Sequence, residues 1–86
     1  MLTVLFFGQL KEVIQTQCLE IAFIQGDEPI NTVAKLRSLL QSRGSDWSAY
    51  LAYGKALVAV NQELTADDAE LKDADEIAFF PPVTGG

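Results

Sequence analysis

The sequence predicts an α+β domain in which a mixed sheet carries one principal helix on one face. Three observations predict it. Two strand-like segments precede the single strongly amphipathic helix and two follow it, an order that lays the helix on one face of a sheet. Two aromatic pairs, Phe6-Phe7 and Phe79-Phe80, end the first and the last of those segments. The chain has 86 residues, 49% of them apolar, so one domain forms its core without disulfides or metal and no second domain fits.

Thr3 to Phe7 reads as a strand of β-branched and aromatic residues ended by Gly8. Gln9 to Ile14 fits either a short helical turn or a loop. Gln17 to Phe23 alternates, with Leu19, Ile21 and Phe23 on one face and Cys18, Glu20 and Ala22 on the other. That pattern is a half-buried strand, closed by the breakers Gly26-Asp27-Glu28-Pro29. The principal helix follows. Asn31 or Thr32 caps it, because a short side-chain oxygen accepts an orphan N–H of the first turn. Val33, Leu36, Leu39 and Leu40 form an apolar stripe at helical spacing, which Arg43 continues. Lys35, Arg37, Gln41 and Ser42 are expected to cover the remaining surface. Gly44 is expected in the left-handed position past the helix end, with Arg43 against the negative pole of the dipole.

Ser45 and Asp46 can cap a shorter helix carrying Trp47, Tyr50 and Leu51, stopped by Gly54. Leu57 to Val60 is a strand and Asn61-Gln62 a turn. Thr65 to Asp75 is an acidic connection anchored by Leu71. Ile77 to Phe80 is the last strand, and Pro81-Pro82 ends it, since proline donates no ladder hydrogen bond. A right-handed crossover through the helix lays the first and last strands side by side.

Charge and composition exclude several classes of function. The formal net charge is −6, and the six Lys and Arg residues form no basic stripe, so nucleic acid is not an expected partner. Acidic residues gather late, at Glu63, Asp67, Asp68, Glu70, Asp73, Asp75 and Glu76, with Lys72 alone among them. They read as a solvated loop face or as a docking surface for a basic partner. Cys18 is the single cysteine, which fits a reducing cytosol; it is expected as a small half-buried residue rather than a catalytic thiol. With no His and one Cys, a typical zinc site and any imidazole triad are excluded, and no metal or cofactor is expected. The apolar start is too short and uncharged for a signal peptide, and no apolar run approaches a membrane span. No carboxylate pair, Cys–His arrangement or phosphate loop is placed to make the chain an enzyme by itself.

The aromatic pairs and the tail carry the functional reading. Neighbouring residues of a strand point to opposite faces. Phase with Leu2 and Val4 turns Phe6 inward, and phase with Ile77 turns Phe79 inward, leaving Phe7 and Phe80 outside, joined by Leu5. These residues make an apolar patch for a partner unless a loop covers them. Beyond them runs Pro81-Pro82-Val83-Thr84-Gly85-Gly86. The prolines favour an extended base, and six extended residues reach roughly 20 Å. Gly85 and Gly86 have no side chains, so the tip can thread a narrow slot; a frayed terminus is the alternative. Adenylation by a partner would turn the terminal carboxylate into a mixed anhydride. A sulfur donor displacing AMP would leave a thiocarboxylate, and an amine would join the tail to a lysine. Neither route needs catalytic residues in this chain.

The stretches VLFFGQLKE at Val4–Glu12, TVAKLRSLL at Thr32–Leu40, VAVNQEL at Val58–Leu64 and DADEIAFFPPVTGG at Asp73–Gly86 resemble the small subunits of molybdopterin synthase, sulfur carriers of the ubiquitin-like β-grasp superfamily. The resemblance runs over essentially the whole chain. It implies a β-grasp domain over residues 1–80 and a tail over residues 81–86. It implies that an adenylating enzyme activates Gly86 and that a persulfide sulfur donor converts it to a thiocarboxylate, with Gly85 behind it. It further implies a large synthase subunit as partner in a heterotetramer, cyclic pyranopterin monophosphate as sulfur acceptor, and a cytoplasmic setting. Phe7, Leu64 and Phe80 carry over as hydrophobic docking residues. Ala74 departs from the family, which usually places glycine in the turn before the last strand; a type I turn or modest strain would accommodate it. Gly8 stands where alanine is common, a minor change. A modifier conjugated to lysines through Gly86 is the alternative function, and an interaction domain with an inert terminus is a third. A thiamin-pathway carrier would share the chemistry, but that family is shorter and ends differently.

Overall fold

Alternation in the first strand, β1 (Leu2–Phe6), buries Leu2, Val4 and Phe6 and leaves Thr3 and Leu5 on the other face. The last strand, β7 (Glu76–Phe80), alternates likewise, with Ile77 and Phe79 inward. The two run parallel, with Val4 opposite Ile77 and Phe6 opposite Phe79. The computed structural model describes residues 1–52 and 54–82. Between β1 and β7 lie α1 (Gly8–Ile14), β2 (Cys18–Ile21), β3 (Ile24–Gln25), β4 (Glu28–Pro29), α2 (Val33–Gln41), α3 (Ser45–Tyr50), β5 (Leu57–Val60) and β6 (Glu63–Thr65). The main sheet has the order β2-β1-β7-β5-β6, and every pairing but β1–β7 is antiparallel. This is the mixed sheet that the sequence predicts, with the first and last strands adjacent at its centre.

One face of that sheet holds the core. Val33, Leu36 and Leu40 of α2 are buried with Leu10 of α1, Leu51, Leu71 and the inward residues of β1, β5 and β7. The Phe6 and Phe79 rings stack at 6.1 Å between centroids, and Trp47 meets Phe6 edge-on at 5.5 Å. Thr32 caps α2, its Oγ1 accepting from Lys35 N–H at 3.2 Å. The acidic connection completes that helix start. Ala69 O accepts from Val33 N–H and Asp67 O from Ala34 N–H, so the orphan donors of the first turn bond to backbone. Leu71 anchors the connection, 2% exposed.

Several expectations change. Residues 8–14 form a helix, resolving the ambiguity there. The breaker cluster is itself structured: β3 and β4 pair as a small hairpin, with Ile24 opposite Pro29. Glu63–Thr65, whose last residue is expected to open the acidic connection, is a third strand of the C-terminal half. The Asn61-Gln62 turn has positive φ at both residues (50° and 71°), the type I′ pattern that folds β5 directly back onto β6. Gly44 is not left-handed. Its backbone is extended and it precedes α3 as the N-cap, while Ser42 ends α2 in a right-handed conformation. Neither Ser45 nor Asp46 caps α3.

Three side chains also depart. Cys18 is exposed rather than half-buried, because β2 is an edge strand and Cys18 lies on the outer face. Ala74 has φ 77°, and Asp75 N–H closes the turn on Lys72 O at 3.1 Å. That is the type II pattern with the residue that favours glycine at its third position, so the turn accepts strain rather than switching to type I. Arg37 does not cover the outside of α2. It is 5% exposed, with Nε and Nη2 donating to both oxygens of Asp67 and Nη1 to the carbonyls of Leu51 and Ala56.

Candidate functional site

The outer face of the sheet is built by strand register. Cys18, Leu5, Ala78, Ala59 and Leu64 lie opposite one another in turn and form a row across all five strands. Toward the C-terminal end of β7 the next row contains Phe80 opposite Leu57. Phe7, extended at φ −124° and ψ 158°, donates its N–H to Phe79 O at 3.1 Å. By parallel-ladder geometry that bond sets Phe7 beside Phe80. In the opposite direction the face turns polar, with Glu20 and Glu76 flanking Thr3. The apolar area is therefore confined to the end from which the tail leaves.

Exposure grades across this face. Leu64 is 70% exposed, Phe7 50% and Leu57 36%, while Phe80 is half-buried among its neighbours. Among the described residues no loop covers Phe7 or Leu64. Sequence reasoning singled out Phe7, Leu64 and Phe80, and the fold brings all three onto this face. It passed over Leu57, although the inward phase of Val58 and Val60 already turns Leu57 outward.

The root of the tail is defined by two residues. Gly8 has φ +60°, and a Cβ placed on it would lie 3.3 Å from Pro81 Cγ. Pro81 is half-buried and Pro82 is exposed. The next rung of the parallel ladder calls for an N–H from residue 81, which proline lacks. Gly85 and Gly86, the expected tip, lie outside the described residues.

The acidic residues divide by role. Asp67 is bound to Arg37, and Asp75 accepts from Asn61 Nδ2 and from Lys72 N–H. Asp73 accepts from the N-terminal ammonium, and this hydrogen bond holds its carboxyl below the ordinary value. Glu63, Asp68 and Glu70 remain exposed. Among the described residues no three Asp, Glu, Cys or His side chains are grouped to hold a metal ion, and no helix is long and apolar enough to cross a membrane.

A domain of this fold, with an exposed apolar face beside its C-terminal exit, matches known proteins along its length. Residues 4–86 match the ThiS family. The chain belongs to that family. Within it, the chain stands with the molybdopterin synthase sulfur carrier subunits: the Escherichia coli (strain K12) protein of that name is 46% identical over 86 residues, covering 100% of both chains. A chain in the complex of subunits 1 and 2 of the Helicobacter pylori 26695 molybdopterin-converting factor is 31% identical, with a TM-score of 0.65 over 99% of this chain and 97% of that one. SAMP1 of Haloferax volcanii is similar at a TM-score of 0.78 and 25% identity, over 99% and 98% of the two chains.

Proposed function

We propose that this chain is the sulfur carrier subunit of a molybdopterin synthase, a cytoplasmic protein that contributes a reactive terminus and no catalytic side chain. The observation that carries the reading is the 46% identity, over both full lengths, to a molybdopterin synthase sulfur carrier subunit. The domain of residues 1–80 is the recognition body and residues 81–86 are the working tail.

The chemistry proceeds at Gly86. An adenylating enzyme couples the terminal carboxylate to ATP, releasing pyrophosphate and leaving an acyl-adenylate. The terminal sulfur of a persulfide attacks the acyl carbon and expels AMP. Reduction of the resulting acyl disulfide by a thiol frees the thiocarboxylate. That sulfur passes to cyclic pyranopterin monophosphate in the large subunit, toward the dithiolene that holds molybdenum. Two small and two large subunits make up the complex. Phe7, Leu57, Leu64 and Phe80 supply the docking surface, an exposed apolar patch of the kind that marks partner sites. Gly85 and Gly86 keep the tip thin enough to enter a narrow channel.

The test is intact-mass measurement of the full-length protein incubated with its adenylating enzyme, ATP and a persulfide donor. The expected product gains one oxygen-for-sulfur exchange, localised to Gly86 by fragmentation. No mass change under conditions that load a known carrier rejects the reading. The likeness to SAMP1, a small archaeal modifier protein, favours a second use of the same activated terminus: conjugation to lysines. Isopeptide-linked remnants of Gly86 on other proteins would identify that use.

A further inference from the structure

The main sheet has two open edges, β2 and β6. Backbone bonding along β6 is fixed by its neighbours. Asn61 N–H donates to Glu76 O at 2.7 Å. Ala59 opposite Ala78 and Leu57 opposite Phe80 follow in step, so these three residues turn their backbone groups to β7. Val58 and Val60 turn theirs to β6, where they meet Thr65 and Glu63. Leu64 lies between those two, so its N–H and C=O point out of the sheet and bond to no other described residue. Its side chain is 70% exposed on the outer face, opposite Ala59. Glu63 and Thr65 face the helix side, as do Val60 and Val58 opposite them. There an open groove of about 460 Å³ separates β6 from the acidic connection, and Glu63, Thr65, Ala69, Glu70, Lys72 and Asp75 line it.

We propose that the open edge of β6 is a docking site for an extended, basic strand of the large synthase subunit. The inference rests on the sulfur-carrier reading. An unpaired N–H and C=O on one residue are a template for strand addition, and an exposed apolar side chain on that residue strengthens it. The other edge, β2, exposes no large apolar side chain. Leu64 also belongs to the apolar docking face, so a strand laid on β6 continues that interface around the side of the sheet. Alternation then fixes the chemistry of the occupant. The residue opposite Leu64 lies on the outer face and adds apolar contact. Its two neighbours point into the groove. Glu63 and Glu70 are exposed there and form no ion pair among the described residues. Asp75 adds a third carboxylate against the single ammonium of Lys72, so the groove is negative. The complementary strand therefore reads basic, apolar, basic. A second copy of this chain is the wrong occupant, because each copy carries a net charge of −6.

The test uses the full-length carrier and the intact large subunit. Calorimetric titration at low and high salt reads the groove. The double variant Glu63→Lys, Glu70→Lys should bind roughly 10- to 100-fold more weakly than the wild type at low salt. Its unfolding midpoint should stay unchanged, because both side chains are exposed. Wild-type affinity should fall as salt is added, and that of the double variant should not. Amide exchange and magnetic resonance of the isotope-labelled wild-type carrier read the edge. In the free protein the Leu64 N–H should exchange much faster than those of Glu63 and Thr65, which are turned to β5. In the complex it should slow by at least about 10-fold and show nuclear Overhauser contacts to backbone protons of the large subunit. Slowing without those contacts means burial of the side chain alone and overturns the inference. A double variant that binds like the wild type overturns it too. A wild-type carrier that forms no complex with the large subunit rejects the carrier reading instead.

Discussion

Replacing Arg37 by methionine should remove a large part of the stability of this domain. The guanidinium is 5% exposed and lies 5.4 Å from the centre of the Phe79 ring. Two of its nitrogens hold Asp67 at 2.9 and 3.0 Å, and a third reaches Leu51 O at 2.8 Å and Ala56 O at 3.2 Å. One side chain thus ties α2 to the segment leaving α3 and to the acidic connection. Methionine fills a similar volume and offers no donor. Breaking a buried ion pair from one side costs about 3–5 kcal/mol. The Asp67 side chain is 24% exposed, so water recovers part of its solvation and the low end, about 3 kcal/mol, applies. Leaving the two carbonyls unpaired adds roughly 1–2 kcal/mol together. The expected loss is about 4–5 kcal/mol, against a total near 4–13 kcal/mol for a chain of this size. The midpoint should fall by roughly 16–40 °C, at about 4–8 °C per kcal/mol. Urea unfolding followed by circular dichroism measures the loss. Asp67→Asn should also destabilise, and the double variant should lose less than the sum, because the two side chains share one interaction. A loss below about 1 kcal/mol in Arg37→Met would refute the reasoning, since that is what a solvated helix-surface charge gives.

Other substitutions probe the docking face, a turn and a titration. Leu64→Asp and Phe7→Ala should each weaken binding to the large subunit by about 2 kcal/mol or more, while Leu64→Asp leaves the unfolding midpoint nearly unchanged; calorimetric titration measures both, and unaltered affinity would discount the face. Ala74→Gly should stabilise the fold by up to about 1 kcal/mol, because relief of the left-handed strain of about 1–2 kcal/mol outweighs the extra chain entropy of about 0.5–1 kcal/mol. A lower melting temperature in that variant contradicts the type II turn. Asp73 has its carboxyl lowered by the hydrogen bond from the N-terminal ammonium. Its stabilising contribution is complete above the ordinary value of 3.8 and is lost as pH falls through the lower folded value. Asp73→Asn should therefore flatten the acid side of the stability profile, and superimposable acid profiles for the two proteins would exclude the pairing in solution.

The sheet was legible wherever residues alternated and the helix wherever they recurred at helical spacing. Leu2, Val4, Phe6, Ile77 and Phe79 took the predicted faces because each strand is long enough for its phase to be read. The β3–β4 hairpin and β6 escaped because they have two or three residues each, too few to show a period. Their signals lay in the turns: Asn61-Gln62 implies a returning strand as soon as it is read as a tight hairpin turn. The burial of Arg37 was invisible locally, since its partner Asp67 is 30 positions away and only the closed fold joins them. Gly44 illustrates the opposite limit, a glycine beside a helix end whose conformation was set by the start of the next helix. At the candidate site, the outward phase of Phe7 and Phe80 was readable from neighbouring residues. The nearness of Gly8 to Pro81 required two segments from opposite ends of the chain to be brought together.

The central position of β7 has a consequence for biosynthesis. Every hydrogen-bonded path from β1 to β5 runs through Glu76–Phe80. A nascent chain that has not been made past residue 80 therefore lacks the middle of its sheet, and β1 with β2 on one side cannot join β5 with β6 on the other. Folding of this domain closes late, because its central pairing joins Thr3 to Glu76, residues far apart along the chain. Chains interrupted before β7 would leave the facing edges of β1 and β5 unpaired. The native sheet thereby reports that the chain has been made through residue 80.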